Sequence, residues 1–530
     1  MKLRDCYKNY AQGVGKAVTP EETCRIVFKR IRGRDILDSI YPVKRPGGIP
    51  QYRIEGGNEF KQIVTVPGTN GKGHTRILAL ASGMMELVER YSCYKYFRQA
   101  KGARAASFRD MRGMPYRLSD FPSFAFGFRG GIKMRDIQDC RVRWFKAYTL
   151  GGGRLYFPFP LAGYLLQGTT GMASGNSLEE ALLQAICEIV ERHCLSKIQR
   201  ARRLTPLVRV SSIGSRPAAA LINKFRRLGH EVMIKDFSLG TGIPVVGVVR
   251  MLGKGRCFVT AGASADPCEA LIRALTENSQ SGIAEYSLPI AEAAHHFKGH
   301  AEVDFAQLPG FSCRNIKTEL TRLEGLLSRL GMRVFFHNTT DKELGIPAVV
   351  VMVTNTELLE KIMPSPGGFA AWKNIYHAVI QEQLDMRDYP AALKLIDKFS
   401  ALDGENPEVY RCYKGIALKW MRQYASAARC FQENISSLKE DGAIKALSLF
   451  QSGLCLHALG DMKKAGDYYF RFIGMRPDFN VSCQWMYYKA VHYKDKEQLA
   501  IMNEAAKICM LLRAGLKVVK NRCKSRENQR

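Results

Sequence analysis

Apolar positions in the middle of the chain come in short runs, alternating or unbroken, separated by glycine-rich breaks. Residues 143–150 and 155–161 flank Gly151-Gly152-Gly153 and predict a hairpin. Residues 232–238 and 243–251 flank Leu239-Gly240-Thr241-Gly242 and predict another. Residues 258–264 read as a strand that runs into Asp266-Pro267, where an Asp cap and a Pro at the first helical position open a helix. From 61 to about 362, strand-like and helix-like segments alternate, and the hairpins among them predict an α+β class with a mixed α/β core. Residues 1–60 are basic and weakly patterned, part of that core or leading into it.

At Met363-Pro364-Ser365-Pro366-Gly367-Gly368 the pattern breaks, which predicts a linker over 363–370. Beyond it strand signals stop and a helical repeat begins. Arg387-Asp388-Tyr389-Pro390-Ala391-Ala392, Arg422-Gln423-Tyr424-Ala425-Ser426-Ala427 and Gly460-Asp461-Met462-Lys463-Lys464-Ala465 correspond, with matched alanines 35 and then 38 residues apart. Gly415 and Gly453 also match. The spacing predicts an all-α region of tetratricopeptide-like repeats over 371–510, a signature that generic helical hairpins share. The basic tail, 511–530, reads as a frayed, solvated end.

Composition narrows the class. The 530 residues are 46% hydrophobic and 24% charged, which excludes a largely disordered or fibrous chain. Lys and Arg number 79 against 49 Asp and Glu, a net charge of +30 that suits an anionic partner such as nucleotide, nucleic acid, ribosome or membrane surface. No apolar stretch approaches the roughly 20 residues that span a bilayer, and the polar start MKLRDCYKNY is no signal peptide, so no membrane association is expected. Fifteen scattered cysteines without any Cys-x-x-Cys read as mostly reduced core residues of a cytoplasmic protein.

The chemistry concentrates in a pattern that occurs twice. Glu86-Leu87-Val88-Glu89-Arg90 and Glu188-Ile189-Val190-Glu191-Arg192 each sit late in a helical run of small and apolar residues. Carboxylates at i and i+3 share a helix face. One such motif reads as a surface ion-pair ladder; two, each on a mainly apolar helix, point inward, where carboxylates need cations or donors. A third helix adds Arg273, Glu277 and Gln280, and Glu180 lies two turns before Glu188. Oxygen ligands of this kind suit magnesium alongside phosphates. Before the first helix, Thr69-Asn70-Gly71-Lys72-Gly73-His74-Thr75 has the look of a phosphate loop without the Walker spacing. Gly171-Met172-Ala173-Ser174-Gly175-Asn176-Ser177 leads into the second helix in the same way. Both read as glycine-rich lead-ins to helix N-termini, where backbone N–H groups hold anions.

The runs TNGKGHTRILALASGMMELVERY, GMASGNSLEEALLQAICEIVERHC and GASADPCEALIRALTENSQ, in this order, resemble the YcaO domain, over about 61–362. A tetratricopeptide-like C-terminal region also occurs in YcaO proteins. The resemblance implies an ATP-binding fold in which acids of several helices hold Mg2+. It implies activation of a polypeptide backbone amide by phosphorylation of its oxygen, followed by attack of a nucleophile. With sulfide the product is a thioamide; with a Cys, Ser or Thr side chain it is an azoline; a further branch assists methylthiolation of a ribosomal protein. Carried over by position, Glu86, Glu89, Glu180, Glu188, Glu191 and Glu277 match the magnesium-linked acids. Ser82, Asn176, Arg192 and Arg273 match the nucleotide contacts, with Lys72 counted beside them.

Two departures stand out. Gly282 replaces an arginine frequent at the end of the third motif, and His193-Cys194 replaces a commoner pair. The basic end, unlike the proline-rich tail of azoline-forming members, favours a non-azoline enzyme. The expected partners are a polypeptide substrate, a sulfur-delivering or methylthiolating enzyme, the ribosome, and a second copy in a homodimer. The alternative is a nucleotide-binding scaffold that recruits a modifying enzyme through its helical repeats, without catalysis of its own.

Overall fold

The computed structural model describes residues 2–10, 15–44, 48–64, 67–99, 102–111, 114, 116, 120, 131–158, 169–280, 288–297, 301–357, 375–404, 407–438, 442–475 and 495–527. The linker expected over 363–370 and Gly282 lie outside them.

The weakly patterned N-terminal region is ordered structure. Thr19 caps α1 (Pro20–Ile31) by accepting from the Glu22 amide, and proline occupies the first turn. A three-stranded antiparallel sheet follows, β1 (Leu37–Pro42), β2 (Gln51–Gly56) and β3 (Gly68–Lys72), with the short α2 (Asn58–Ile63) between the last two. This sheet packs on α3 (Arg76–Gln99). Val27, Ile31, Ile54, Phe60, Met84, Leu87, Val88 and Tyr91 share one apolar cluster there. Patterning is weak because β1 has no buried residue and the buried positions of β3 are two glycines and a threonine.

Residues 69–72 of the glycine-rich run before α3 are therefore strand rather than phosphate loop, and residues 73–75 link that strand to the helix. Gly71 is needed for approach: a Cβ there would lie 2.6 Å from the Gly83 nitrogen of α3. The run before the second acid helix contains the short strand β7 (Met172–Ser174).

Chain order continues with β4 (Arg104–Ser107), β5 (Arg141–Thr149) and β6 (Arg154–Pro158), the last two forming the first expected hairpin. After β7 comes α4 (Leu178–Ala201), then β8 (Leu207–Val208), α5 (Arg216–Arg227), β9 (Val232–Asp236), β10 (Val245–Gly253) and β11 (Arg256–Ala263). Strands β9 and β10 form the second expected hairpin. Asp266 caps α6 (Pro267–Gln280) through the amides of Cys268 and Glu269. Next come β12 (Leu288–Pro289), β13 (Glu302–Val303), α7 (Ile316–Arg329), β14 (Val334–Asn338) and β15 (Ala348–Val353).

One sheet runs β12-β11-β10-β9-β8-β13, antiparallel except for the β8–β13 pair. Another contains β5-β14-β15-β7, with β6 on β5. Helix α4 buries apolar residues against both, because it lies between them. Ile186, Ile189 and Val190 share a cluster with Val245, Ala261 and Ala263 from the first sheet and with Val349 and Val351 from the second. The other face of the first sheet is covered by α5 and α6, through Leu221, Ile222 and Phe225 and through Ala270, Leu271 and Ala274. The core is mixed α/β, as its sequence predicts, and an all-helical region follows it.

That region contains α8 (Ile375–Asp385), α9 (Tyr389–Asp403), α10 (Pro407–Trp420), α11 (Tyr424–Ser437), α12 (Ala443–Ala458), α13 (Met462–Met475) and α14 (Lys496–Glu527), so the tail read as frayed continues as helix to Glu527. The sequence repeat is a structural one. Arg387, Arg422 and Gly460, at matching positions, each turn the chain with positive φ between consecutive helices. Ala392, Ala427 and Ala465, also matched, are fully buried. Gly415 of α10 admits the ring of Phe431 of α11, and Gly453 of α12 admits Tyr469 of α13.

The chain divides into two compact units: Met1–Arg104, Gly113–Ala125 and Trp144–Lys361 in one, Ala105–Arg112, Phe126–Arg143 and Ile362–Arg530 in the other. Two stretches ahead of the expected linker thus belong with the helical region. The second is attached specifically: Arg143 makes bonds of 2.6 and 2.7 Å to the buried Glu382, Gln383 donates to the Arg141 carbonyl at 2.6 Å, and Lys398 pairs with Asp136 at 3.0 Å.

Candidate functional site

Three helices of the first unit carry the same spacing. On α3, Ser82, Glu86 and Glu89 stand at i, i+4 and i+7; on α4, Gln184, Glu188 and Glu191 do; on α6, Arg273 and Glu277 stand four apart. Such positions stack along one helix stripe. Beside the stripes, Leu87 and Val88 on α3, Ile189 and Val190 on α4 and Leu271 and Ala274 on α6 are packed into the apolar cores.

The structure brings most of the expected residues together. Arg90 binds Glu86 at 2.9 Å and lies 3.5 Å from Glu89. Lys72, the last residue of β3, is in contact with Glu277. Arg273 donates to Gln184, joining α6 to α4, and Arg192 Nε lies 3.8 Å from Glu191. Burial depresses the Lys72 ammonium to about 8 although Glu86 and Glu191 favour its charge, and Arg273 and Arg192 add to the depression. Burial pushes the Glu89 carboxyl well above the usual range, opposed by Arg90 and reinforced by Glu86 and Glu188. Glu188 is raised too, by burial and by Glu191, against the pull of Arg192, Arg273 and Arg90. Each group feels charges from at least one other helix, so the acids, arginines and lysine form one electrostatic cluster.

Within this cluster Glu86, Glu89, Glu191 and Glu277 each have a cation within ion-pair distance. Among the described residues no three acids meet at metal-ligand distances. The guanidinium side is incompletely used: Nε of Arg90, Arg192 and Arg273 is buried without a hydrogen-bond acceptor. A buried donor without an acceptor costs about 1–3 kcal/mol, and an anion seated among these three arginines would remove that cost.

Glu180 and Asn176 are engaged elsewhere. Glu180 accepts from the Ala17 amide at 3.0 Å and from Asn176 Nδ2 at 3.1 Å, with Lys16 3.5 Å away. Asn176 accepts from Thr23 at 3.1 Å, and the neighbouring Glu179 accepts from the Arg4 amide at 2.7 Å. The start of the chain is thus tied to the capped N-terminus of α4. Ser82 is half-buried one turn before Glu86 on α3. Sequence reasoning overlooked Lys16, Arg4 and Thr23, whose partners lie more than 150 residues away. It also passed over Gln184, which the i, i+4 relation to Glu188 would have found. The side chain of Gln280 lies outside what the structure describes. His193 is buried, its imidazole held down at about 4 by burial and by Lys197, and its Nδ1 accepts from the Glu357 amide at 2.8 Å.

The candidate cluster falls inside a match to a known family. A family model described as YcaO cyclodehydratase, ATP- and Mg2+-binding, matches residues 70–357. An uncharacterised protein of Methanothermobacter thermautotrophicus is 25% identical over 323 residues, 54% of this chain and 81% of that one. The ribosomal protein S12 methylthiotransferase accessory factor YcaO of Escherichia coli is 28% identical over 236 residues, 39% of this chain and 40% of the factor. Among solved structures, a heterocyclase in complex with substrate and cofactor superposes with a TM-score of 0.56 at 19% identity, over 68% of this chain and 54% of that chain. The chain therefore spans about half the length of that heterocyclase and two fifths of the accessory factor. The matched domain is an ATP- and Mg2+-binding one, and the chain belongs to the YcaO family.

Proposed function

We propose that this protein uses ATP and Mg2+ to activate a backbone amide of a polypeptide. The amide oxygen attacks the terminal phosphorus of ATP; the new O–P bond forms as the bond to ADP breaks. A nucleophile then adds to the amide carbon, and the phosphate leaves with the former amide oxygen. With sulfide as nucleophile the product is a thioamide. The observation that carries this reading is the three-helix cluster in which carboxylates and half-satisfied arginines face one another.

The residues fit the cofactors. Glu86, Glu89, Glu188, Glu191 and Glu277 offer oxygen ligands, and burial penalises the bare charges of Glu89 and Glu188 among them. Mg2+ supplies neutralisation of phosphate charge when bound. Arg192, Arg273 and Lys72 offer donors to phosphate oxygens, with Ser82 beside them. An amide oxygen is a poor nucleophile, so positioning and electrostatic stabilisation have to do most of the work. Glu180 and Asn176, in this reading, belong to the nucleotide end of the site and also anchor Lys16, Ala17 and Thr23 at the start of α4. The tetratricopeptide-like helices would hold the polypeptide. All described cysteines are free, which suits a reducing, cytoplasmic setting.

A second reading rests on the similarity to the methylthiotransferase accessory factor. The protein would then bind nucleotide and recruit a methylthiolating or sulfur-delivering enzyme through its helices, at the ribosome or as a homodimer, without catalysis of its own. Phosphate release with and without candidate polypeptides separates the two. Glu191→Gln deletes one negative charge at constant shape and should lower turnover by roughly 10²–10³ with the fold retained. A wild type that binds ATP but releases no phosphate would favour the scaffold.

A further inference from the structure

Glu277 sits at position 11 of the fourteen residues of α6, and its last turn is gripped from two sides. Gln51, the first residue of β2, donates from Nε2 to the Ser279 carbonyl at 2.9 Å and reaches Ser279 Oγ at 3.2 Å. Arg250 of β10 donates to the Asn278 carbonyl at 2.9 Å, with its guanidinium over the Phe225 ring. The Asn278 amide in turn donates to Thr260 of β11 at 3.1 Å, and Thr260 Oγ1 donates to the Ala274 carbonyl at 2.9 Å. Gln51, Arg250, Asn278 and Thr260 are all buried.

A helix end usually leaves its last carbonyls to water or to a local cap. Here two buried side chains from different sheets take them. Polar groups buried at this density cost stability unless their geometry is satisfied, and apolar residues would fill the same space more cheaply. What the arrangement gains is orientation. Gln51 is also the register partner of Lys72 across the β2–β3 ladder. One rung of the small sheet therefore supplies both the amide that grips Ser279 and the ammonium that meets Glu277 two residues earlier.

We propose that Gln51 is a positioning residue which, by clasping the end of α6, sets Lys72 against Glu277. Arg250 braces the same turn from the opposite sheet. The proposal rests on the reading of Lys72 and Glu277 as site residues only where it concerns activity; the clasp itself has its own readout.

That readout is the acylation of Lys72 by a limiting water-soluble succinimidyl ester, followed by peptide mass spectrometry with Lys414 as internal reference. Gln51→Met should raise Lys72 labelling about three- to tenfold, the factor that one net hydrogen bond carries, and leave Lys414 unmoved. Gln51→Asn, one methylene short of Ser279, should do the same and serves if the methionine variant does not fold. For ATP turnover, Gln51→Met should lower kcat with little change in the KM for ATP. In a Lys72→Met background it should cost nothing more, because the pair it positions is already gone. Unchanged Lys72 labelling in a folded Gln51 variant overturns the proposal, as do additive losses in the double variant. A wild type without ATP turnover would defeat the proposed activity, and the labelling ratio would then decide the clasp alone.

Discussion

Gly71 of β3 and Gly83 of α3 touch backbone to backbone: a Cβ on Gly83 would lie 2.9 Å from the Gly71 nitrogen, and one on Gly71 2.6 Å from the Gly83 nitrogen. The contact fixes how far the small sheet stands from the helix that bears Glu86 and Glu89, and so where Lys72 ends up. Gly83→Ala should force the strand off the helix, at a cost of about 1–3 kcal/mol or more because the clash is with backbone. Chemical denaturation measures it. An alanine variant as stable as wild type, with unchanged ATP turnover, would show that the approach is incidental.

Glu89 tests whether the acids are a binding site or a structural ion-pair ladder. Its carboxyl is pushed up by burial, with Glu86 and Glu188 adding to the shift against Arg90. Glu89→Gln removes the penalised charge and leaves Arg90 paired with Glu86 at 2.9 Å. The free protein should be equally stable or more so, by roughly 0–2 kcal/mol. The stabilisation by Mg-ATP, about 2.7 kcal/mol at a hundredfold excess over Kd, should be lost. Thermal melts with and without Mg-ATP check both signs. A ladder would give the opposite pair: a weaker fold and an unaltered nucleotide response.

How much of this was legible follows from how local each signal is. The stripe Ser82, Glu86, Glu89 and its counterpart Gln184, Glu188, Glu191 lie within two helical turns, so helix periodicity alone places each set on one face. The hairpin around residues 151–153 and the Asp266 cap are equally local. The strand character of residues 68–72 was hidden, because Gly71 answers to Gly83 and Ala79 of α3 and Gly68 to Ile54 and Glu55 of β2, rather than to a turn. The role of Glu180 was hidden for the same reason: its amide partner is Ala17, 163 residues away. The attachment of residues 126–143 to the helical unit depends on Arg143 meeting Glu382, which no window of sequence contains.

His337 gives the first unit an acid-sensitive point. It is fully buried on β14, its Nδ1 is 2.9 Å from the Lys146 carbonyl, and burial lowers its imidazole from 6.5 to about 4. The unfolded chain therefore binds a proton between these values that the folded one refuses. The neutral side chain's contribution is complete above pH 6.5 and is lost as pH falls toward 4, roughly 3 kcal/mol over the interval. Urea midpoints measured from pH 7.5 to 4.5 should fall, and His337→Phe should flatten that slope, whatever it does to stability at pH 7.5. An identical slope in wild type and variant would assign the acid sensitivity to other groups.

The helical region offers a matched pair of sites that differ only in repeat. Gly415 lies under Phe431, with Cζ 2.6 Å from where a Cβ would stand, and Gly453 lies under Tyr469, with Cδ1 at 2.7 Å. In both, the helix pair closes because one partner has no side chain at the crossing. Gly415→Val and Gly453→Val should each open their own hairpin, and overpacking of this kind costs about 1–3 kcal/mol. Because stacked helical hairpins are stabilised mainly by their neighbours, damage at Gly453 should spread through α12 and α13 before it reaches α8. Hydrogen exchange followed by mass spectrometry resolves this: protection should fall over 443–475 in Gly453→Val and over 407–437 in Gly415→Val, while β10, β11 and α4 of the first unit keep theirs. Under the proposed division of labour, Gly453→Val should also retain basal phosphate release and lose the stimulation given by a polypeptide substrate. Loss of basal release together with protection in α4 would mean that the helical region supports the catalytic unit itself, and that the substrate is held elsewhere.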